Sequence, residues 1–385
     1  MQQTVSGSEF VLQLNKIRRL VYLAPVELNS PAQRPHHFVF WAHQALGCEV
    51  VWVDPTPARL LRWSDWRRYK AKKTLPLRPS WARDAWLTNV RMKALPFEPF
   101  SVGRLANRWL QSGKFRLLSA MLSTKDCRLV IGRPSALALQ LCHAATADQA
   151  LYDVMDNTPA FNTGRAARWM QQIHHSLARS VGHIWCSASK LQAQLHLEHG
   201  REAVLVRNGS NLKPTLGKAA MTPPWVIGFV GTIASWFDWA WVIKVAASVP
   251  YAEVRLYGPM LTDFPHTLPS NVFCLPAVRH EDVAALMSHW HAGLIPFKVN
   301  NLTDSVDPVK YYEYRSVGLP VLSSRFGDML RHSDDDGLWF LEDLPLPELP
   351  LRLGQWWSQA ASVRVKIVSD WDENFNRGAS VIGWI

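Results

Sequence analysis

Short apolar runs alternate along this chain with longer stretches in which apolar residues recur every three or four positions, and the rhythm occurs twice. The first run, Arg19 to Ala24, suits a strand buried on both faces. A Pro-containing polar loop follows, then a helical pattern from Pro35 to Leu46 and a second run at Cys48 to Val53. Such an order predicts parallel strands joined by helical crossovers. After an interruption the rhythm resumes with a strand at Arg128 to Gly132, a helix from Ser135 to Ala145, a strand at Ala150 to Val154, a helix from Gly164 to Ser180 and a strand at His183 to Cys186. Residues 1–206 therefore read as one Rossmann-like α/β domain, with an insert at about 56–115.

Residues 207–224 are rich in Gly, Pro, Asn, Ser and Thr and poor in bulky apolar side chains, as expected of a linker. A second series follows at Trp225 to Val230, Glu253 to Tyr257, Asn271 to Leu275, Ala292 to Ile295 and Leu319 to Leu322, giving a second Rossmann-like domain over 225–363. Leu351 to Ile385 reads as helical, and its Trp356, Trp357, Trp371 and Trp384 are expected against both halves, with 364–385 crossing between them. A chain of 385 residues exceeds the roughly 250–300 that one core usually serves. The expected fold class is α/β, two Rossmann-like domains whose sheets present their carboxyl ends across a cleft, where parallel sheets take ligands.

Composition removes several alternatives. No apolar run approaches the roughly 18 residues of a membrane span. The first fifteen residues carry Glu9 and no basic stretch ahead of an apolar core, which argues against a secretory signal and for the cytoplasm. Cys48, Cys127, Cys142, Cys186 and Cys274 are scattered and odd in number, and the histidine pairs lack ligand spacing, so neither a disulfide framework nor a metal site is expected. The formal charge of +11 is concentrated. From Arg59 to Lys93 eleven Lys and Arg face only Asp65 and Asp84, interleaved with Trp63, Trp66, Trp81 and Trp86. That mixture suits anionic lipid headgroups, with Trp63, Trp66, Arg67, Arg68, Lys72 and Lys73 as the contacts and the protein peripheral to the inner membrane. It also suits single-stranded nucleic acid or a plain solvated surface. Lipid is the reading carried forward, with no nucleic acid partner.

The most informative stretch is Thr303 to Ser324. Asp307 suits an N-cap, Pro308 the first helical position, Gly318 the left-handed residue that ends a helix, and Leu319 to Ser324 a buried strand. Lys310 and Glu313 then share one face near a helix N-terminus, where a cation and a carboxylate could hold a pyrophosphate and a ribose hydroxyl. An ordinary surface ion pair has the same spacing. Gly231 and Thr232 end the first strand of the second domain, where a glycine admits a phosphate or sugar close to the backbone.

The order Asn208-Gly209, FVGT (Phe229 to Thr232), Trp236-Phe237-Asp238, YGP (Tyr257 to Pro259), NVFCLPAV (Asn271 to Val278), GLIPF (Gly293 to Phe297) and DPVKYYEYRSVGLPVLSS resembles the carboxyl-terminal domain of a group 1, family 4-like glycosyltransferase of GT-B fold. In the amino-terminal half, QRPHHFVFWAHQAL (Gln33 to Leu46), VVWVDP (Val50 to Pro55), LYDVMDNTPAF (Leu151 to Phe161) and SASKL (Ser187 to Leu191) are similar to bacterial exopolysaccharide enzymes of the xanthan glucuronosyltransferase type.

The resemblance implies transfer of a hexosyl or glycuronosyl group from a nucleoside-diphosphate sugar to a lipid-linked or growing saccharide, without a bound metal or other cofactor. Gly231, Thr232, Lys310, Tyr311 and Glu313 make the implied donor-binding set. Lys310 would neutralise the pyrophosphate and Glu313 accept from the ribose. Many retaining relatives carry a glutamate eight positions before the one matching Glu313, and Ser305 stands there, with Asp304 and Asp307 out of register. The implied catalytic base is Asp156; the alternative for it is a helix cap. His36, His37 and Asp153 are candidates for acceptor or sugar contact, with capping open for the histidines and orientation of backbone or Arg for Asp153. A non-catalytic nucleotide- or saccharide-binding protein of the same fold is the other reading, since Ser305 replaces the carboxylate.

Overall fold

The structure is a computed structural model and describes residues 16–56, 79–213, 224–262, 265–360, 364–365 and 369–385. The chain divides into two compact units, one running as far as Val206 and taking back Phe375–Ile385, the other holding Arg207–Asn374.

In the first unit the described elements run β1 (Arg19–Leu23), α1 (Arg34–Leu46), β2 (Glu49–Val53), β3 (Leu87–Val90), α2 (Ser101–Leu122), β4 (Cys127–Ile131), α3 (Ala136–Cys142), β5 (Ala150–Val154), α4 (Gly164–Ser180), β6 (His183–Cys186), α5 (Ser189–His199) and β7 (Val204–Leu205). The sheet order is β3-β2-β1-β4-β5-β6-β7, and every pairing is parallel. Central strands such as β5 are buried at all five positions, which is why they read as unbroken apolar runs. Phe375 packs edge-on against Phe38 at 5.4 Å, Trp41 Nε1 donates to Asn376 Oδ1 at 2.9 Å, and Trp384 lies 6.3 Å from Trp185.

The stretch expected as an insert is, where described, part of the fold. It supplies β3 and the 22-residue α2. Strand β3 escaped the sequence reading because it sits at the sheet edge with no residue fully buried, so its apolar pattern is faint. Trp81 and Trp86, read as candidates for a lipid interface, instead pack against α1: Trp81 stacks on Phe40 at 5.6 Å and Trp86 on His43 at 4.3 Å. The six named lipid contacts, Trp63, Trp66, Arg67, Arg68, Lys72 and Lys73, lie outside the described residues.

The second unit contains β8 (Trp225–Val230), α6 (Trp239–Ser248), β9 (Ala252–Tyr257), β10 (Val272–Leu275), α7 (His280–Met287), β11 (Ala292–Ile295), α8 (Val309–Ser316), β12 (Val321–Ser323), β13 (Leu338–Phe340) and α9 (Leu349–Ser358); α10 (Trp371–Val381) begins in it and from Phe375 onward belongs to the first. Its sheet is again wholly parallel, in the order β10-β9-β8-β11-β12-β13. The carboxyl-terminal stretch is not one helix. Gln359 turns extended after α9, and the Asp370 carboxylate accepts the Asp372 N–H at 2.6 Å where α10 begins. Trp356 and Trp357 are spent inside the second unit, donating to the carbonyls of Gly318 and His291. Among the described residues no helix is long and apolar enough to cross a membrane, and no cluster of side chains could hold a metal ion.

One polar contact is sunk in the first unit. Arg34 of α1 grips Asp153 of β5 with two hydrogen bonds, 2.9 and 3.1 Å, and donates to the Val206 carbonyl at 2.8 Å. Both side chains are buried, so breaking the pair leaves an uncompensated charge, at a cost of about 3–5 kcal/mol. Asp153→Asn should lose stability on that scale in urea melts. Nearby, Tyr152 shares a 2.7 Å hydrogen bond with His174, whose pKa falls to about 4 through burial first and the neighbouring His199 and His175 second. The folded protein then binds fewer protons than the unfolded chain, so this contribution is present above about pH 6.5 and fades as pH drops toward 4. His174→Gln should flatten the melting temperature across that window.

Candidate functional site

The eight-residue α8 is short and mostly buried, and its side chains divide into tethers and candidate ligand groups. Tyr311 and Arg315, four residues apart, share the inner face. Tyr311 donates its hydroxyl to Asp335 at 2.8 Å, and Arg315 takes the same carboxylate in a fork of 2.8 and 3.2 Å. Tyr312 donates to Asp307 at 2.8 Å, and the Tyr314 hydroxyl accepts the Val230 N–H at 3.3 Å. These contacts fix the rotation of α8. Lys310 and Glu313 are left on the remaining face, joined by a 2.6 Å ion pair.

That pair is not an ordinary surface one. The Glu313 side chain is only 6% exposed and that of Lys310 24%, so both are largely withdrawn from water while the ammonium keeps an open side. The loop after β8 lies against it. A side chain built on Gly231 would begin 3.3 Å from Lys310 Cε, and one on Gly258, in the loop after β9, would collide with the Gly231 carbonyl oxygen. With φ of 156° and 144°, both backbones occupy a region L side chains rarely adopt. Thr232 is half-buried beside them. The carboxyl ends of β8 and β9 thus bring two bare backbone segments up to a lysine and a carboxylate on one helix.

Other expectations for this region need correction. Tyr311, expected among the donor-binding residues, is buried, its hydroxyl is committed to Asp335, and its ring stacks on His332 at 3.9 Å. Asp307 does not cap α8, whose N-cap is Pro308. Its carboxylate accepts from the Asn208 N–H and the Tyr312 hydroxyl, both at 2.8 Å, which accounts for the Asn208-Gly209 dipeptide: Asn208 ties the chain entering this unit to the start of α8. Burial pushes the Asp307 carboxyl up to about 7, against those two donors and Arg207 and with Asp328 adding to the rise. Ser305 is fully buried, and its hydroxyl meets no hydrogen-bond partner.

His280, the first residue of α7, was missed by the sequence reading. Its pKa is lowered by burial, with Glu313 opposing and Lys310 adding, so all three share one electrostatic neighbourhood. The available signal was positional: His280 opens the helix after β10, on the carboxyl side of the same sheet.

In the first unit Asp156 follows β5. A short turn begins beside it, but the Thr158 N–H goes to the Asp156 carbonyl at 2.8 Å and the side chain caps nothing, which removes the capping alternative. Asp156 is an exposed residue. Desolvation of its carboxyl raises the pKa to about 6; Arg34 opposes the rise and Asp153 adds to it. The candidates placed with it fare differently. Asp153 is buried and held by Arg34, the arrangement expected of a residue that orients an arginine. His36 is also buried, its Nδ1 accepting the Gln33 N–H at 3.2 Å and its Nε2 facing the Leu28 carbonyl at 3.3 Å; it closes the start of α1. His37 is half-buried.

A small, shallow depression lies at the carboxyl ends of β1 and β2, lined in part by Leu23, Val53, Asp54, Glu98, Arg133 and Ser135. Asp54 is saturated, accepting from Leu28, Trp52, Asn89 and Arg91. Glu98 accepts the Ala136 N–H at 2.6 Å, and burial raises its pKa against that bond, Arg133 and Arg104. The sequence carried no mark of Glu98, because it lies between two prolines in a loop.

No family model matches the sequence, and no curated protein matches it. Solved structures do. Sucrose-phosphate synthase from Thermosynechococcus elongatus aligns with a TM-score of 0.59 at 11% identity, over 95% of this chain and 94% of that one. A glycosyltransferase from Rickettsia africae aligns at 0.54 and 9%, over 94% and 93%. The α,α-trehalose 6-phosphate synthase from Burkholderia multivorans aligns at 0.50 and 10%, over 95% and 94%. Such identities establish the fold alone, and the fold is GT-B, two Rossmann-like domains each built on a parallel sheet.

Because Tyr311 anchors α8 and lies away from the candidate ligand face, Tyr311→Phe should cost about 1 kcal/mol in denaturant melts. Asp335→Asn, which leaves Arg315 buried with half a partner, should cost about 3–5 kcal/mol.

Proposed function

We propose that this protein is a glycosyltransferase that takes a sugar from a nucleoside-diphosphate donor and passes it to a lipid-linked or growing saccharide at the cytoplasmic face of the membrane. The observation that carries the reading is the withdrawn Lys310–Glu313 pair facing the bare Gly231 backbone at the carboxyl edge of a parallel sheet. A lysine with one open side offsets the charge that grows on a departing diphosphate, and a nearly buried carboxylate selects hydroxyl donors such as those of a ribose. Thr232 and the Gly231 backbone flank the diphosphate or sugar. The donor charge is met by Lys310 and backbone N–H groups, with no bound metal in the reaction.

On the acceptor side, Asp156 takes the proton of the attacking hydroxyl while the bond from the anomeric carbon to the diphosphate breaks. A carboxylate with a pKa near 6 is a stronger base than a solvated one and remains ionised at neutral pH. Within this class, the amino-terminal motifs favour a hexosyl- or glycuronosyl-transferring polysaccharide enzyme of the xanthan glucuronosyltransferase type. A second reading, a binding protein without turnover, is favoured only by Ser305, whose buried hydroxyl stands where many relatives carry a carboxylate.

Donor binding and turnover test the two separately. Thermal shift with uridine and guanosine diphosphate sugars should show stabilisation that Lys310→Ala reduces, through an affinity loss of about tenfold or more. Asp156→Asn should keep that shift while transfer falls by about 10²–10⁴, and the wild-type rate should rise with pH through about 6. Full transfer by both variants sinks the site assignment. Tight donor binding with no transfer to any acceptor favours the binding protein.

A further inference from the structure

The first unit shows a helix face that its own core does not use. Along α2, Val102, Leu105 and Trp109 are 79%, 70% and 77% exposed, and Leu110 and Leu117 are exposed as well. At 100° per residue, Val102, Leu105, Trp109 and Leu117 fall within one outward arc, while Gly103, Asn107, Gln111, Leu118 and Leu122 turn inward. From Val102 to Leu117 the stripe is about 22 Å long at 1.5 Å per residue. Phe97 and Phe100, also exposed, continue it just before the helix.

Its charge is one-sided. Helix α2 contains no Asp or Glu, and Arg108, Lys114 and Arg116 stand exposed around the stripe. From Arg91 to Lys125 seven Lys and Arg face a single acid, Glu98, and that acid is buried. A long apolar stripe with Trp at its centre and cations along its borders matches the boundary between acyl chains and anionic headgroups. A protein partner or a second copy would meet the same apolar stripe. A cationic border without any intervening carboxylate favours a continuous sheet of negative charge.

We propose that the outward face of α2, centred on Leu105 and Trp109 and bordered by Arg108 and Arg116, lies in the plane of an anionic bilayer and docks this protein on it. The inference deepens the membrane-facing part of the proposed function and rests on that part only; nucleotide-sugar binding is independent of it. The docking surface lies on a segment distinct from the Trp63 to Lys73 contacts that the sequence singles out.

Flotation of the full chain with vesicles of phosphatidylcholine alone, or with about a third phosphatidylglycerol, tests it. The wild type should float with the anionic vesicles and stay behind with the neutral ones. Leu105→Glu with Trp109→Glu should weaken flotation at least tenfold, and Arg108→Gln with Arg116→Gln should weaken it severalfold and reduce its salt dependence. All these positions are exposed, so melting temperature should hold, and Leu197→Glu, an exposed apolar residue on α5, should change nothing. Equal binding to neutral vesicles, or full anionic binding by the Leu105/Trp109 variant, overturns the proposal. So does a wild-type dimer that this variant dissociates while vesicle binding is unchanged. Donor thermal shift on the same variants keeps this test apart from the catalytic one: an intact shift with lost flotation supports docking, and a lost shift in the wild type refutes the donor site while the docking result stands.

Discussion

The Arg315–Asp335 pair holds helix α8 in place, and the candidate site depends on it. Helix α8 has only eight residues, too few to hold its own rotation in water, and its position is set from the inner face. One buried carboxylate there receives Arg315 and Tyr311 together. Desolvating two charges is expensive, and the fork from Arg315 together with the Tyr311 hydroxyl and the Gly337 N–H offsets that cost by giving each Asp335 oxygen two donors. The consequence appears on the opposite face, where Lys310 and Glu313 meet each other and the Gly231 backbone.

The same logic recurs in the first unit with a different result. Arg34 and Asp153 tie α1 to β5 and to the carbonyl that closes the unit at Val206. Asp156, three residues beyond Asp153, feels both charges of that pair, so a structural tether also tunes the candidate base. In both units a buried Arg–Asp pair positions an element.

The surface tells a complementary story. Along the sequence, cationic and tryptophan residues continue beyond the stretch between Arg59 and Lys93. Trp81 and Trp86 are absorbed into packing on α1, whereas Trp109 on α2 points away from the core. Charge density along the chain does not tell which tryptophans are exposed, because exposure depends on which face of an element the sheet leaves uncovered.

The sequence by itself determined the two parallel sheets, since strands buried on both faces must be written as unbroken apolar runs; β5, β6, β8 and β11 start and stop where those runs do. It also determined that Lys310 and Glu313 share a face and that Gly318 ends their helix in a left-handed conformation, because helical spacing and glycine's freedom are local properties. Only the tertiary structure decided which neighbours each side chain meets. Asp153, His36 and Tyr311 look in sequence like ligands near strand ends and helix starts, yet long-range partners 119 and 24 residues away, for Asp153 and Tyr311, and burial of the ring, for His36, consume them. Edge strand β3, the saturated Asp54, Glu98 and the placement of His280 beside Lys310 and Glu313 were invisible for the same reason. Burial and charge proximity between distant segments are set by packing, and no local pattern encodes them.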